Sequence, residues 1–179
     1  GENALRKLNN LITLVVTVLC NVDHPSAQDV KDEKKPTGKK YWGWEYSREG
    51  QFEERLKKYG NIKRIDYSYF IFRDFVFIGA RGHSFPGVVR SRAFKKHKKI
   101  LEGLFKRFRK KNEDRKVIFV SHNVPYKTKL DLVTSKKAHK IIRNEHLGSK
   151  LVRKIIDKYQ PALYFGGHIH ESKGIQKLG

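Results

Sequence analysis

Ala162-Leu163-Tyr164-Phe165-Gly166-Gly167-His168-Ile169-His170-Glu171 reads as an apolar strand running into a glycine pair and two histidines. Histidines at i and i+2 just past a strand present two imidazoles at one strand end, and neutral imidazole is the commonest metal ligand among side chains. Gly166 and Gly167 are expected to turn the backbone sharply and let it approach an ion or anion closely. Taken alone, such a pair is a weak signal and more often marks two solvated loop histidines.

Two other segments repeat the pattern. Val117-Ile118-Phe119-Val120 is a short β-branched and aromatic run followed at once by Ser121-His122-Asn123. Leu14-Val15-Val16-Thr17-Val18-Leu19 leads into Cys20-Asn21-Val22-Asp23-His24-Pro25. Each run has the composition of a buried strand, and each ends in a loop that opens with metal-capable side chains. In open α/β sheets ligands gather outside the carboxyl ends of the strands. The three runs together predict an α/β fold whose three ligand-bearing loops converge on one edge.

On these residues the chain resembles the calcineurin-like metallophosphoesterases, most nearly their small prokaryotic and archaeal branch. The resemblance is carried by Asn21-Val22-Asp23-His24-Pro25 and by Val120-Ser121-His122-Asn123-Val124-Pro125-Tyr126-Lys127-Thr128-Lys129-Leu130-Asp131. It continues through His146-Leu147-Gly148-Ser149, Gln160-Pro161-Ala162-Leu163 and Gly167-His168-Ile169-His170-Glu171-Ser172. It implies a layered β-sandwich flanked by helices, and a dinuclear metal site that hydrolyses phosphoesters. By the same resemblance Asn21, His122 and His168 hold one cation and His170 belongs to a second, with manganese, iron or zinc suited to mixed imidazole and oxygen ligands.

The chain also departs from that pattern. Cys20 stands where the family usually has Gly, and Val22 where it has Cys or His. The family's His at that position helps protonate the leaving group, so His24, two residues on, is the candidate for this catalytic role if the loop folds to bring it there. The family's opening Asp-x-His and Gly-Asp-x-x-Asp motifs, which supply a bridging carboxylate and most ligands of the other metal, are absent. The chain contains no Met, its residues Glu2 to Leu11 read as a helix entering a strand, and it stops nine residues beyond His170. We therefore expect residues 1–179 to form one metallophosphoesterase-like domain lacking its first metal-binding motifs and its last strands, as part of a longer protein. A shortened relative that has lost half its site is the rival expectation.

Composition bounds the partners. The formal charge is +22, from 40 Lys and Arg against 18 Asp and Glu. Such an excess points to a polyanionic partner, a membrane surface or a lysine-biased proteome. Basic residues concentrate between Arg90 and Lys116, where Phe94, Leu101, Leu104, Phe105 and Phe108 recur at helical spacing. This segment predicts a surface helix with an apolar stripe and a cationic outer face, either simply solvated or in contact with RNA or DNA. That contact defines the alternative function, a basic nucleic-acid-binding module that keeps the fold and has lost the chemistry. One cysteine, Cys20, offers no disulfide framework and fits a reducing, cytoplasmic setting. No apolar run approaches the roughly 18 residues needed to span a bilayer.

Further candidates sit in loops. Tyr69-Phe70-Ile71-Phe72 and Phe75-Val76-Phe77-Ile78 read as a hairpin or two successive core strands joined at Arg73-Asp74. The loop after the second of them contains Arg81 and His83, candidate phosphate contacts or plain surface residues. Ser149 opens a helix with Leu151, Val152, Ile155, Ile156 and Tyr159 on one stripe. It is read as an N-cap, and Gly148-Ser149 as a candidate contact for substrate phosphate. The aromatic cluster Tyr41-Trp42-Gly43-Trp44-Glu45-Tyr46 packs a loop onto the body or stacks bases.

Overall fold

The computed structural model of the chain describes residues 2–11, 13–18, 54–82, 92–111, 114–136, 138–170 and 172–178. In chain order the elements are α1 (Glu2–Asn9), β1 (Val15–Thr17), β2 (Ile62–Arg64), β3 (Tyr69–Phe72), β4 (Phe75–Ala80), α2 (Arg92–Lys111), β5 (Lys116–Asn123), α3 (Lys150–Tyr159) and β6 (Leu163–Gly167). The expected α/β character is present, and the strand and helix runs expected from the sequence overlap these elements, with β1 and α1 shorter than the runs at Leu14–Leu19 and Glu2–Leu11.

Two sheets form among the described residues. β1 pairs with β2 in parallel, Val15 opposite Ile62, while the second sheet has the order β3-β4-β5-β6. Within it β3 and β4 are an antiparallel hairpin, and β4, β5 and β6 are parallel. Arg73, the first of the two turn residues, has φ 51°, the positive φ that two-residue hairpin turns require. The sheets are joined where the chain leaving β2 forms a parallel bridge from Asp66 to Gly79. Only glycine fits there, because a Cβ on Gly79 would lie 2.1 Å from the carbonyl oxygen of Ile65.

One face of the larger sheet is sealed by helices. Strand residues alternate between faces, and Val76, Ile78, Ala80 and Phe119 all point toward α2 and α3. There they meet Phe94, Leu101, Phe105 and Phe108 of α2 and Leu151, Val152, Ile155 and Ile156 of α3. Phe105 packs edge-on to Phe119 and stacks on Tyr159. Each such side chain contributes about 1.5–3 kcal/mol by burial. The opposite face is partly open, with Leu163 49% and Phe165 52% exposed. The apolar stripe expected for α2 is buried as predicted, and Lys95, Lys96, Lys99, Lys106 and Arg107 stand exposed on its outer side. No described helix is long and apolar enough to cross a membrane.

A smaller cluster of Leu5, Leu56, Tyr59 and Ile62 packs α1 beside β2. Asn61 ties this corner together: its Nδ2 lies 3.1–3.4 Å from the carbonyl oxygens of Leu8, Asn9, Leu11 and Thr13. Leu8 and Asn9 belong to the last turn of α1, whose final carbonyls lack partners within the helix, and Leu11 and Thr13 to the segment that leads into β1. With two hydrogens on Nδ2, the amide shares its bonds among the four.

Candidate functional site

Strand direction gathers the site. β1, β2, β4, β5 and β6 are linked by parallel pairings, the Asp66–Gly79 bridge included, so all five run the same way. The carboxyl ends of β5 and β6, which carry His122 and His168, therefore lie on one edge, and Thr17 closes β1 on that side. Asn21, His24 and His83 lie outside the described residues.

His122 and His168 meet. Nε2 of His122 lies 3.1 Å from Nδ1 of His168, with the rings at 69° and their centroids 5.0 Å apart. Two local irregularities bring this about. Between Val120 and Asn123, β5 spends one more residue than β6 does between Phe165 and Gly167, a bulge of the kind that re-aims a side chain at a strand end. His168 itself has φ 79°, a left-handed conformation uncommon for a residue with a Cβ. This corrects the expectation that Gly166 and Gly167 make the turn. They lie within β6 with no positive φ, and the sharp change of direction falls on His168.

The strain at His168 is held from both sides. Ile169 is buried against Val124 and Val133, with Leu147 beside them, which anchors the loop between the two histidines. Behind the pair, the Tyr164 hydroxyl donates to the carbonyl of Asn123, and its ring packs on Phe119. Burial pushes the Tyr164 phenol well above the ordinary tyrosine value, so it stays a neutral donor. Burial, and secondarily the nearby His170, push the His168 imidazole below the ordinary histidine value of 6.5. His168 is thus biased toward the neutral imidazole that ligates metal. His170 is exposed.

Among the described residues no group of three or more His, Cys, Asp or Glu side chains is assembled as a metal site. The donors that are present nevertheless suit a transition metal in part. Two imidazole nitrogens about 3 Å apart match two adjacent corners of a coordination sphere with Zn–N near 2.0–2.1 Å.

Arg81 directly follows β4, whose last residue Ala80 pairs with Ser121. This puts Arg81 on the edge beside His122, partly exposed. Ser149 is fully buried. Its Oγ accepts from the Val152 N–H at 3.2 Å, its N–H donates to the Val124 carbonyl, and it caps α3 as the sequence predicts. Its hydroxyl therefore faces the helix and not the solvent.

A second arrangement carried no role in the sequence reading, although its residues were visible there. Asp131 is completely buried. Its Oδ1 accepts from the Thr128 N–H at 2.6 Å and His146 Nδ1 at 2.7 Å, and its Oδ2 accepts from the N–H groups of Lys127 and Gly148, each at 3.0 Å. The Thr128 hydroxyl, 3.3 Å from Oδ1 and 3.1 Å from the Pro125 carbonyl, shares its proton between them. One carboxyl thus fixes two loops and orients the His146 ring. The fifteen-residue separation of Asp131 and His146 fits no helical or strand period, and this hid the pair.

Comparison with known proteins identifies the family. The profile of the calcineurin-like phosphoesterases matches residues 2–172. The uncharacterized protein MJ1162 of Methanocaldococcus jannaschii is 42% identical over 65 residues, covering 35% of this chain and 27% of that protein. One crystal structure superposes with a TM-score of 0.59 at 20% identity, covering 99% of this chain and 59% of its own. TT1561 of Thermus thermophilus gives 0.45 at 18% identity, covering 92% of this chain and 60% of that one. The chain thus spans less than two thirds of the relatives it matches. With the profile running almost end to end and the histidines of β5 and β6 paired at one sheet edge, the chain belongs to the calcineurin-like phosphoesterase family.

Proposed function

We propose that the intact protein hydrolyses phosphoesters with two divalent cations, manganese, iron or zinc, at the edge carrying His122 and His168. The observation that supports this reading is the contact between the two imidazoles, brought about by a bulge in one strand and a left-handed residue after the next. Backbone strain of this kind persists where surrounding structure enforces it, and it concentrates at functional sites. His122 and His168, with Asn21, would hold one cation, and His170 would contribute to the other. The cations supply Lewis-acid polarisation of the phosphoryl oxygens and acidify water when bound.

The chain's own residues do the rest. Burial keeps His168 neutral and ready to bind without first losing a proton. Arg81, with His83 beyond the described residues, would meet substrate phosphate, and Ser149 would act from beneath by capping α3 and holding the 146–149 loop. His24 would handle the leaving-group proton. The charge of +22 would draw anionic substrate to the edge, and a cytoplasmic setting fits the single cysteine.

The test is hydrolysis of bis(p-nitrophenyl) phosphate by the intact protein with added manganese, together with its metal content. Removing even a residue that only supports a metal ligand commonly costs about 10–100-fold, so His122→Ala should lose at least that much activity and bound metal. Full activity in that variant would refute the assignment.

A further inference from the structure

Tyr126 is ringed by nitrogen groups. Lys150 Nζ lies 4.9 Å and Lys127 Nζ 5.9 Å from its ring centroid, and the His146 ring packs edge-on at 5.9 Å. All three neighbours are positioned by the backbone around Asp131. Lys127 has φ 56°, and its peptide is gripped at both ends, its N–H by Asp131 and its carbonyl by the Arg153 guanidinium. Lys150 is the first residue of α3, held by the Ser149 cap. His146 gives Nδ1 to Asp131, which turns Nε2 away from the buried carboxyl, and the side chain is 34% exposed.

The chemistry of this corner selects the sign of its ligand. A histidine backed by a carboxyl is a common metal ligand, but here two ammonium groups gather on the same Tyr126 ring that His146 packs against, and their charge disfavours a cation. Two carboxyls of this corner are already engaged: Asp131 accepts from five donors, and Asp157 is bonded by Arg153. What fits is an anion, met by two ammoniums and, in the imidazolium form, by an Nε2–H.

The corner also adjoins the paired histidines. Tyr126 follows His122 by four residues on the same extended run, a reach of at most about 14 Å. Pro125 bridges to Ser149, and Leu147 packs with Val124 and with Ile169, the residue between His168 and His170.

We propose that His146, Lys127 and Lys150 form a second phosphate subsite, so that the substrate is a phosphoester bearing a further phosphoryl group beyond the bond that is cut. This rests on the phosphoesterase reading above, with the reacting phosphate at His122 and His168.

Inorganic pyrophosphate, titrated against the intact protein without metal, is the probe, and the ring resonances of His146 are the readout by NMR. Pyrophosphate should shift those resonances. The apparent Kd should rise about tenfold in Lys150→Ala and similarly in His146→Gln followed at Lys150, while the His146 shifts persist in His122→Ala. Absence of a shift at His146, equal affinity in Lys150→Ala, or shifts abolished by His122→Ala would each overturn the subsite. Bis(p-nitrophenyl) phosphate has no second phosphoryl group, so its hydrolysis by the unaltered protein reports on the phosphoesterase reading alone.

Discussion

His122 and His168 share a hydrogen bond of 3.1 Å between Nε2 and Nδ1 across the ends of two parallel strands. One ring must donate and the other accept, so the contact tolerates at most one added proton on the pair. Double protonation breaks it.

The pH dependence of stability follows with a definite sign. Burial first, and His170 second, hold His168 below its ordinary 6.5, so in mild acid the unfolded chain binds a proton that the folded chain refuses. This contribution is fully present above pH 6.5 and falls away as the pH drops from there through the lowered folded value. Urea midpoints measured at pH 7.5 and 5.5 should decrease toward acid, and His168→Gln should flatten that slope. An unchanged slope in the variant would contradict the assignment.

Backbone strain at His168 separates two substitutions that remove the same ring. At φ 79° glycine is relaxed and alanine is not. His168→Gly should therefore be more stable than His168→Ala by about 1 kcal/mol, although both lose the pairing with His122. Equal midpoints would mean that this φ is not enforced in solution.

Asp131 should be the most sensitive polar residue of the described chain. Asparagine would offer one acceptor oxygen to a pocket built of donors and would place its own N–H groups against them. Asp131→Asn should cost about 2–4 kcal/mol. Gly148→Ala attacks the same hub sterically, since its Cβ would sit 2.6 Å from both Asp131 Oδ2 and the Pro125 carbonyl oxygen. It should cost about 1–3 kcal/mol. Denaturant unfolding reads both, and a neutral result for either would show that the loops relax.

The two faces of the sheet predict opposite responses to truncation. Ile155 is 1% exposed against β4 and β5, and Ile155→Ala should cost about 2–5 kcal/mol. Leu163, half exposed on the other face, should tolerate Ala within about 0.5 kcal/mol. A large loss at Leu163 would show that this face is covered in solution.

Much of this was legible in the sequence. The runs at Val15, Phe75, Val117 and Leu163 are strands, Arg73-Asp74 is a hairpin turn, and Ser149 caps the helix with the Leu151–Tyr159 stripe, because periodicity and cap chemistry are local signals. The meeting of His122 with His168 followed from strand-end logic. The bulge before Asn123 and the φ of His168 were not legible, since both are set by tertiary packing against Tyr164 and Ile169. The Asp131–His146 pair was hidden because its partners come together only through loop closure. Asn21, His24 and His83 lie outside the described residues.

The Asn61 amide bears on the order of folding. It reaches carbonyls 48 to 53 residues earlier in the chain, and β1 with β2 closes a loop of similar length, Val15 pairing with Ile62, whereas β3 and β4 are joined by two residues. A hairpin forms in about 1–10 μs, while a long loop closes only after other contacts repay its entropy. The corner of α1, β1 and β2 should thus dock after the transition state. Asn61→Ala should accelerate unfolding and leave the refolding limb of the chevron nearly unmoved.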